Sequence, residues 1–211
     1  MFFFVPPCSN RSSCKTGHAF MNTFPISCSN PCIQALIFVF LSFCYLYDTV
    51  ASQGLRVFSG DLSSKAVDNL QKNAAPNATF SVCDVSNPEH VTSLVEQARA
   101  GAQESDNFNL TLYNRFFMHA LDEAQELAYL EALSSATKRG DTLYMEYRCS
   151  LDAPLAKEHG KGHYRRYIET KKLVELLERL DFSIKYEITG QGMAKYKAED
   201  PFVSRIICER N

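Results

Sequence analysis

The alternation of strand and helix signals from residue 54 onward most constrains how this chain of 211 residues can fold. Each short apolar run is followed by a helix signal, such as a cap residue, an early proline or leucines at helical spacing. In the third predicted helix, Leu127, Leu130 and Leu133 are expected to face the core. The predicted strands cover residues 55–59, 79–83, 108–113, 142–147, 182–188 and 203–208, and the predicted helices cover 63–74, 88–100, 122–136 and 170–180. Such alternation is typical of an α/β domain with a mainly parallel sheet.

The last two predicted strands are separated by a loop with Gly190, Gly192 and Pro201, and not by a helix. Strands joined in this way pair antiparallel. The sequence therefore predicts a doubly wound α/β sheet that is mainly parallel and ends in an antiparallel C-terminal strand pair.

The first 55 residues differ in composition from the rest of the chain. They carry only three formal charges and five of the eight cysteines. Residues 1–31 show neither strand nor helix periodicity, so we expect a disordered leader there. The only tight cysteine pair is Cys28 and Cys32, with His18 nearby. This pattern favours unpaired thiols, and no metal site, over disulfides or zinc ligands.

Residues 32–47 form a nearly continuous apolar run of 16 residues. A membrane-spanning helix needs about 20 such residues, so we favour a buried strand followed by the start of a buried helix. A membrane anchor through residues 33–47 is the alternative. A secretory signal is less well supported, because the run starts late and no small-residue cleavage site follows Tyr47. We therefore expect a cytoplasmic protein.

The net charge of −2 gives no electrostatic footprint for nucleic acid. Nucleic-acid-binding domains usually carry a strongly basic face or stripe. Nucleic acid is therefore not an expected partner, and the sequence leaves the oligomeric state open.

The stretch from Gly54 to Ser63 reads as a short strand that ends on Gly60 and Asp61 and then opens a helix. In a doubly wound sheet, ligands bind beyond the carboxyl ends of the strands, where a carboxylate can accept both ribose hydroxyls of a nucleoside cofactor. Asp61 is therefore the first candidate for a ligand-binding residue. The alternative is a turn whose Asp or Ser only caps the following helix.

From about residue 50 to residue 211, the order and spacing of several short motifs resemble the class I S-adenosylmethionine-dependent methyltransferases, which have a Rossmann-like fold. The motifs are Ala51–Gly54, Gly60–Ser63, Cys83–Val85, Tyr113–His119, Gly162–Tyr167 and Gly190–Tyr196. The last two are similar to a subgroup that methylates small molecules. The resemblance implies that S-adenosylmethionine is the cofactor and a small molecule the partner. It also implies that residues 54–211 form the methyltransferase-like domain, with residues 32–53 in the place of its first strand and helix.

The resemblance assigns cofactor-binding roles to residues at three strand ends. Asp61 and Leu62 would contact the ribose, Asp84 and Val85 the adenine, and Asn114 the region of the sulfonium and substrate. The ordinary alternative for Asp84 is a turn residue that caps the next helix.

A set of histidines and arginines is expected to act on the substrate. Arg115 and His119 are four residues apart and could share one helical face. His163 could serve as a general base, because the ordinary pKa of histidine lies near neutrality. Arginine forks bind carboxylate or phosphate, which favours an anionic substrate group. The predicted substrate-binding residues are Arg148, Tyr164, Arg165 and Arg166.

One stretch departs from the family pattern. The family has a glycine-rich turn after its first strand, where backbone amides approach the methionine part of the cofactor. Counting back from Gly54 without gaps places the strand at residues 36–39 and this turn at residues 40–45, which contain no glycine. Bulky side chains there are expected to obstruct the cofactor. Together with the change in composition, this suggests that residues 1–49 are a replaced or mis-spliced segment.

Two further functions remain open. A short-chain-dehydrogenase-like oxidoreductase that uses NAD(P) is suggested by Tyr167 and Lys171, which have the spacing of that family's catalytic pair. The chain lacks that family's glycine-rich stretch. The other alternative is a non-catalytic domain that keeps the methyltransferase fold, which the missing glycine turn supports.

Overall fold

The structure, a computed structural model, describes residues 51–52, 54–101, 108–157 and 164–211, together with the backbone of residues 33–39. The expectations for the leader, its five cysteines and the turn at residues 40–45 lie outside this part of the chain. The division into a leader, an apolar segment and a domain from residue 54 stays a prediction.

The described residues form seven strands, four helices and two 3-10 turns. The strands are β1 (Ile33–Val39), β2 (Arg56–Asp61), β3 (Ala78–Val82), β4 (Asn109–Arg115), β5 (Thr142–Arg148), β6 (Phe182–Gly190) and β7 (Val203–Arg210). The helices are α1 (Ser64–Gln71), α2 (Pro88–Gly101), α3 (Glu123–Ala136) and α4 (Thr170–Arg179). The 3-10 turns cover Met118–Ala120 and Ser150–Asp152.

All seven strands join one sheet in the order β3-β2-β1-β4-β5-β7-β6. The pairs among β1 to β5 are parallel, whereas β7 is antiparallel to both β5 and β6. Strand order reverses next to β1, because the chain first winds toward β3 and then returns to β4. The predicted mainly parallel sheet with an antiparallel C-terminal pair is confirmed.

Strand β1 lies in the centre of the sheet. It pairs with β2 on one side, from Ala35 to Val39, and with β4 on the other. The first half of the apolar run is therefore a sheet strand, as the favoured interpretation predicted. Within the described ranges, no helix is long and apolar enough to span a bilayer.

Side-chain caps fix where two of the helices begin. Ser63 caps α1 by accepting a hydrogen bond from the backbone N–H of Ala66 at 3.3 Å. Asp122 and Gln125 form a reciprocal capping box at the start of α3. Each such cap satisfies backbone donors that lack a partner within the helix.

The buried face of α3 differs from the predicted one. Leu130 and Leu133 are buried as expected, but Leu127 is 40% exposed. The buried stripe is instead Glu126, Tyr129, Leu130 and Leu133, which has the i, i+3, i+4, i+7 spacing of a helix face. Two polar side chains therefore enter the core from this helix.

Apolar side chains fill a core on each face of the sheet. Neighbouring strand residues point to opposite faces, so Phe58, Leu112 and Met145 join the larger cluster and Val57 and Tyr113 the smaller one. The larger cluster packs beneath α2, α3 and α4. These layers hold the strand ends at fixed positions.

Candidate functional site

The carboxyl ends of β1, β2, β3, β4 and β5 lie along one edge of the sheet, since these strands are parallel. This edge carries most of the predicted site residues. Asp61 ends β2, Asp84 follows β3, Asn114 and Arg115 end β4, and Arg148 ends β5. Ligands of doubly wound sheets bind at this edge, next to the point where strand order reverses.

The turn after β2 is built tightly around Gly60 and Asp61. A Cβ atom on Gly60 would lie 2.7 Å from the Cβ of Cys83, so only glycine fits without a shift. The Oδ1 atom of Asp61 accepts a hydrogen bond from the backbone N–H of Ser63 at 2.7 Å. The next residue, Leu62, is 62% exposed. The turn therefore presents a carboxylate and an exposed apolar side chain at the sheet edge.

The turn after β3 is organised by side-chain hydrogen bonds. The Oδ1 atom of Asp84 accepts from the backbone N–H of Ser86 at 2.9 Å and from the Ser86 hydroxyl at 2.7 Å. The backbone N–H of Asp84 donates to Nδ1 of His90 at 3.2 Å. Val85 is partly buried against the larger core. Asp84 shapes this turn, while Asn87 stands at the start of α2, where its side chain accepts from the N–H of Glu89.

Asn114 is fully buried near the end of β4. Its Oδ1 accepts a hydrogen bond from the Tyr129 hydroxyl at 2.9 Å. Its Nδ2 is buried without a hydrogen-bond partner. A buried donor of this kind is uncommon in folded proteins and calls for an acceptor.

The expectation that Arg115 and His119 share a helical face is wrong. Arg115 is the last residue of β4, Phe116 takes the left-handed conformation with φ 53°, and His119 lies in the short 3-10 turn that follows. The change of backbone direction at Phe116 prevents a continuous helix.

Arg115 takes part in a buried ion network. Its Nε donates to Oε1 of Glu146 at 2.7 Å, and the other carboxylate oxygen of Glu146 accepts from Nε of Arg205 at 2.6 Å. Glu146 is fully buried, and Arg205 also donates to the carbonyl of Met193 at 2.7 Å. The network ties the ends of β4 and β5 to the loop between β6 and β7.

His119 is held in its neutral form. Burial lowers its pKa to about 4, and the Arg165 and Arg148 guanidiniums act in the same direction, against a smaller opposing effect of Asp152. Its Nδ1 is buried without a hydrogen-bond partner, while its carbonyl accepts from the N–H of Arg166 at 2.8 Å. A neutral imidazole whose Nδ1 has no partner can accept a hydrogen bond. His163, the second predicted histidine, lies outside the described residues.

Two of the three predicted substrate arginines pair with internal carboxylates. Arg148 bonds Asp152 at 3.0 Å and Glu199 at 2.7 Å. Arg166 pairs with Glu126 and also donates to the carbonyl of Leu121 at 3.0 Å. These contacts hold the loops around the strand ends in place.

Arg165 is different from these two arginines. Its guanidinium makes no hydrogen bond or ion pair with any residue that the structure describes, yet it lies close enough to lower the pKa of His119. Tyr164 beside it is 52% exposed. Arg165 is thus the predicted substrate arginine whose charge is not engaged by a described carboxylate.

A cleft of about 360 Å³ lies beside Arg148. Its lining includes Asp152, Lys157, Gln191 and Glu199, from the segment after β5 and the loop between β6 and β7. Asp152 is fully buried and bonds both Arg148 and Lys157 at 3.0 Å. Across the described ranges, no group of His, Cys, Asp and Glu side chains could hold a metal ion.

Several polar residues of the site were not predicted from the sequence. They are Glu126, Tyr129, Asp152, Glu199 and Arg205. For Glu126 and Tyr129 a signal was present, since both fall on the i, i+3, i+4, i+7 stripe of α3. The others become recognisable only when distant segments come together.

No protein-family model matches the sequence. No curated protein matches it either. Several solved structures do resemble it in three dimensions. A methyltransferase from Anabaena variabilis superposes with a TM-score of 0.67 at 17% identity, over 92% of this chain and 83% of that one.

Two further solved structures are similar. A methyltransferase from Methanosarcina mazei has a TM-score of 0.60 at 16% identity, over 83% of this chain and 92% of that one. The magnesium protoporphyrin IX methyltransferase from Synechocystis, with bound S-adenosylhomocysteine, has a TM-score of 0.58 at 17% identity, over 83% and 74%. With the strand order and the antiparallel end of the sheet, these likenesses show that the chain has the fold of the class I S-adenosylmethionine-dependent methyltransferases.

Proposed function

We propose that this chain is an S-adenosylmethionine-dependent methyltransferase that acts on a small molecule. The observation that carries the proposal is the carboxyl edge of the sheet, where Asp61, Asp84 and Asn114 stand at the ends of successive strands. A carboxylate beyond the second strand suits a ribose, and one beyond the third suits the amine of an adenine. The solved structures of this fold that are named above are methyltransferases, which supports the same activity.

The nucleoside part of the cofactor fits the described residues. Gly60 keeps the turn after β2 close to Cys83, and Asp61 offers a carboxylate beside the exposed Leu62. Asn114 offers a buried donor that needs an acceptor. Bound S-adenosylmethionine would supply a methyl group activated by its sulfonium. The chain would contribute mainly orientation, which is a large part of catalysis in transfers between two bound groups.

His119 is proposed to contact the methyl acceptor. Because the imidazole is neutral and its Nδ1 has no hydrogen-bond partner, it can accept a hydrogen bond from an O–H or N–H group. This assignment differs from a purely structural histidine, whose two nitrogens would be satisfied within the fold.

Arg165 is proposed to select an anionic substrate. Its guanidinium has no described partner and lies within electrostatic range of His119, so a carboxylate or phosphate of the substrate could accept its hydrogen bonds. Arg148 and Arg166 would act indirectly, since their charges are engaged by Asp152, Glu199 and Glu126.

The oxidoreductase alternative fits the sheet less well. Doubly wound dinucleotide-binding sheets have the order 3-2-1-4-5-6. Here β7 is inserted antiparallel between β5 and β6. Tyr167 and Lys171 therefore belong to a sheet whose strand order differs from that of the dinucleotide-binding sheets.

Transfer of labelled methyl groups tests the proposal. The chain would be incubated with methyl-labelled S-adenosylmethionine and a panel of small carboxylic acids and their matched amides. We expect label in products from acids and little from amides, and Arg165→Ala should reduce the transfer to acids. Lys197→Ala, a change on the loop between β6 and β7, serves as the control. Oxidation of a cosubstrate with NAD(P), without any transfer of label, would contradict the proposal.

A further inference from the structure

Tyr129 and Asn114 form a hydrogen-bonded pair inside the protein, next to the proposed site. Both side chains are fully buried, one on α3 and the other near the end of β4. The Tyr129 hydroxyl donates to Oδ1 of Asn114 over 2.9 Å. Burial raises the pKa of Tyr129 well above its ordinary value, so the phenol stays protonated and remains a donor.

The bond to Tyr129 fixes the orientation of the Asn114 amide. A carboxamide has its acceptor oxygen and its donor nitrogen on opposite sides. Because the Tyr129 hydroxyl donates to Oδ1, the Nδ2 atom of Asn114 points away from Tyr129. In that position Nδ2 is buried without a hydrogen-bond partner. Leaving a buried donor unsatisfied is unfavourable, so this orientation has a cost unless an acceptor binds.

The position of Asn114 indicates where such an acceptor would come from. Asn114 is paired in the sheet with Val39, the last residue of β1. It therefore stands at the carboxyl edge, where strand order reverses and ligands of doubly wound sheets bind. Asp61 and His119 belong to the same edge.

Tyr129 also supports the segment that follows Asn114. Its ring meets that of Phe117 edge-on, with centroids 5.2 Å apart at an interplanar angle of 85°. Phe117 is buried and immediately precedes the 3-10 turn that carries His119. The hydroxyl and the ring of Tyr129 thus contact two parts of one segment, and a phenylalanine at this position would lose only the first contact.

We propose that Tyr129 is a positioning residue for cofactor binding, whose hydroxyl holds the Asn114 amide so that Nδ2 donates to an oxygen of bound S-adenosylmethionine. This inference rests on the proposed function and extends it to a residue on α3 that touches no ligand itself. The Tyr129 hydroxyl acts only through Asn114.

Two matched substitutions test the inference. Tyr129→Phe removes the hydroxyl and keeps the ring that packs on Phe117. Tyr147→Phe is the control, because Tyr147 is equally buried and its hydroxyl bonds Thr170 at 3.4 Å and not Asn114. The affinity for S-adenosylhomocysteine would be measured by calorimetry, and the free energy of unfolding by urea titration, for each variant and the wild type.

We expect Tyr129→Phe to weaken S-adenosylhomocysteine binding about fivefold or more and Tyr147→Phe to leave it within about twofold, while both unfold in a single transition. In a background of Asn114→Ala, Tyr129→Phe should cause no further loss of affinity. Equal affinities of the two phenylalanine variants would overturn the inference, as would an undiminished effect of Tyr129→Phe without Asn114. A folded wild type that binds no S-adenosylhomocysteine would instead overturn the proposed function, and this inference with it.

Discussion

At the scale of single residues, the chemistry of the site depends on how burial and neighbouring charges set each side chain. His119 is the clearest case, because burial and two arginine guanidiniums both disfavour its charged form. An exposed histidine at the same place would be partly protonated near neutral pH. The fold therefore supplies a neutral imidazole over the physiological pH range.

This state of His119 predicts how stability depends on pH. Its pKa is about 4 in the folded chain, against about 6.5 for an unperturbed histidine. The unfolded chain therefore binds the proton first as pH falls. The contribution of His119 to the free energy of unfolding is complete above the pKa of histidine in the unfolded chain. As pH drops from about 6.5 to 4, this contribution is lost, and the loss is on the order of 3 kcal/mol.

Urea titrations between pH 4.5 and 7.5 check this prediction. The free energy of unfolding should fall less steeply toward acid in His119→Gln than in the wild type. His90→Gln, which replaces an exposed histidine, is the control. Identical pH profiles for the wild type and His119→Gln would show that His119 is not held neutral by the fold.

The arginines show what sequence could and could not reveal at this scale. The sequence predicted that Arg148, at a strand end, and Arg165 and Arg166, in a polar loop, bind an anionic substrate group. Arg148 instead bonds Glu199, 51 positions away, and Arg166 bonds Glu126, 40 positions away. Partners at such separations are set by the packing of the whole sheet, so no local pattern indicates them.

At the scale of elements, sequence signals that span only a few residues, such as helix caps, gave the most accurate predictions of where helices begin. Ser63 and Asp122 were expected at helix starts and do cap α1 and α3, because a cap needs only a backbone donor three residues away. The prediction that Arg115 and His119 share one helical face was wrong, and the reason is also local. A left-handed Phe116 breaks the helix that the spacing suggested, and bulky residues seldom adopt that conformation.

The capping box of α3 gives a prediction for this scale. Asp122 accepts from the N–H of Gln125 at 2.8 Å, and the Gln125 side chain accepts from the N–H of Asp122 at 3.0 Å. Asp122→Ala should lower the free energy of unfolding by about 0.5–2 kcal/mol. Asp122→Asn should retain most of the stabilisation that the cap provides. Urea titration measures both, and equal losses for Ala and Asn would show that the cap hydrogen bond is not what stabilises the helix start.

At the scale of the whole molecule, alternation of strands and helices was sufficient to predict a mainly parallel sheet, and the missing helix before β7 predicted its antiparallel pairing with β6. Alternation did not predict which strands are neighbours, since β3 and β4 follow each other along the chain but lie apart in the sheet. The apolar run and the family resemblance predicted a first strand at residues 36–39, and β1 covers Ile33–Val39 between β2 and β4. The interior of the site was not predictable to the same degree, since Glu146, Arg205 and Met193 meet only after β5 and β7 pair.

Binding of the whole cofactor also depends on residues 40–45, which lie outside the described residues. Residues 40–45 contain no glycine, and the prediction that their side chains obstruct the methionine part of the cofactor is untested; transfer of label by this chain would contradict it. The nucleoside part of the site is independent of that stretch, because Asp61 and Asp84 follow β2 and β3. Binding of the nucleoside is therefore the property on which the account depends most.

Calorimetric titration of S-adenosylhomocysteine into the wild-type chain, Asp61→Ala and Asp68→Ala tests that property most directly. Asp68 is an exposed carboxylate on the neighbouring α1 and serves as the matched control. A charged acceptor contributes roughly 1.5–3 kcal/mol for each hydrogen bond, so the loss of two ribose contacts should weaken binding at least about a hundredfold in Asp61→Ala. Asp68→Ala should bind like the wild type. Equal affinity of Asp61→Ala and the wild type, or no binding by a folded wild type, would contradict the account.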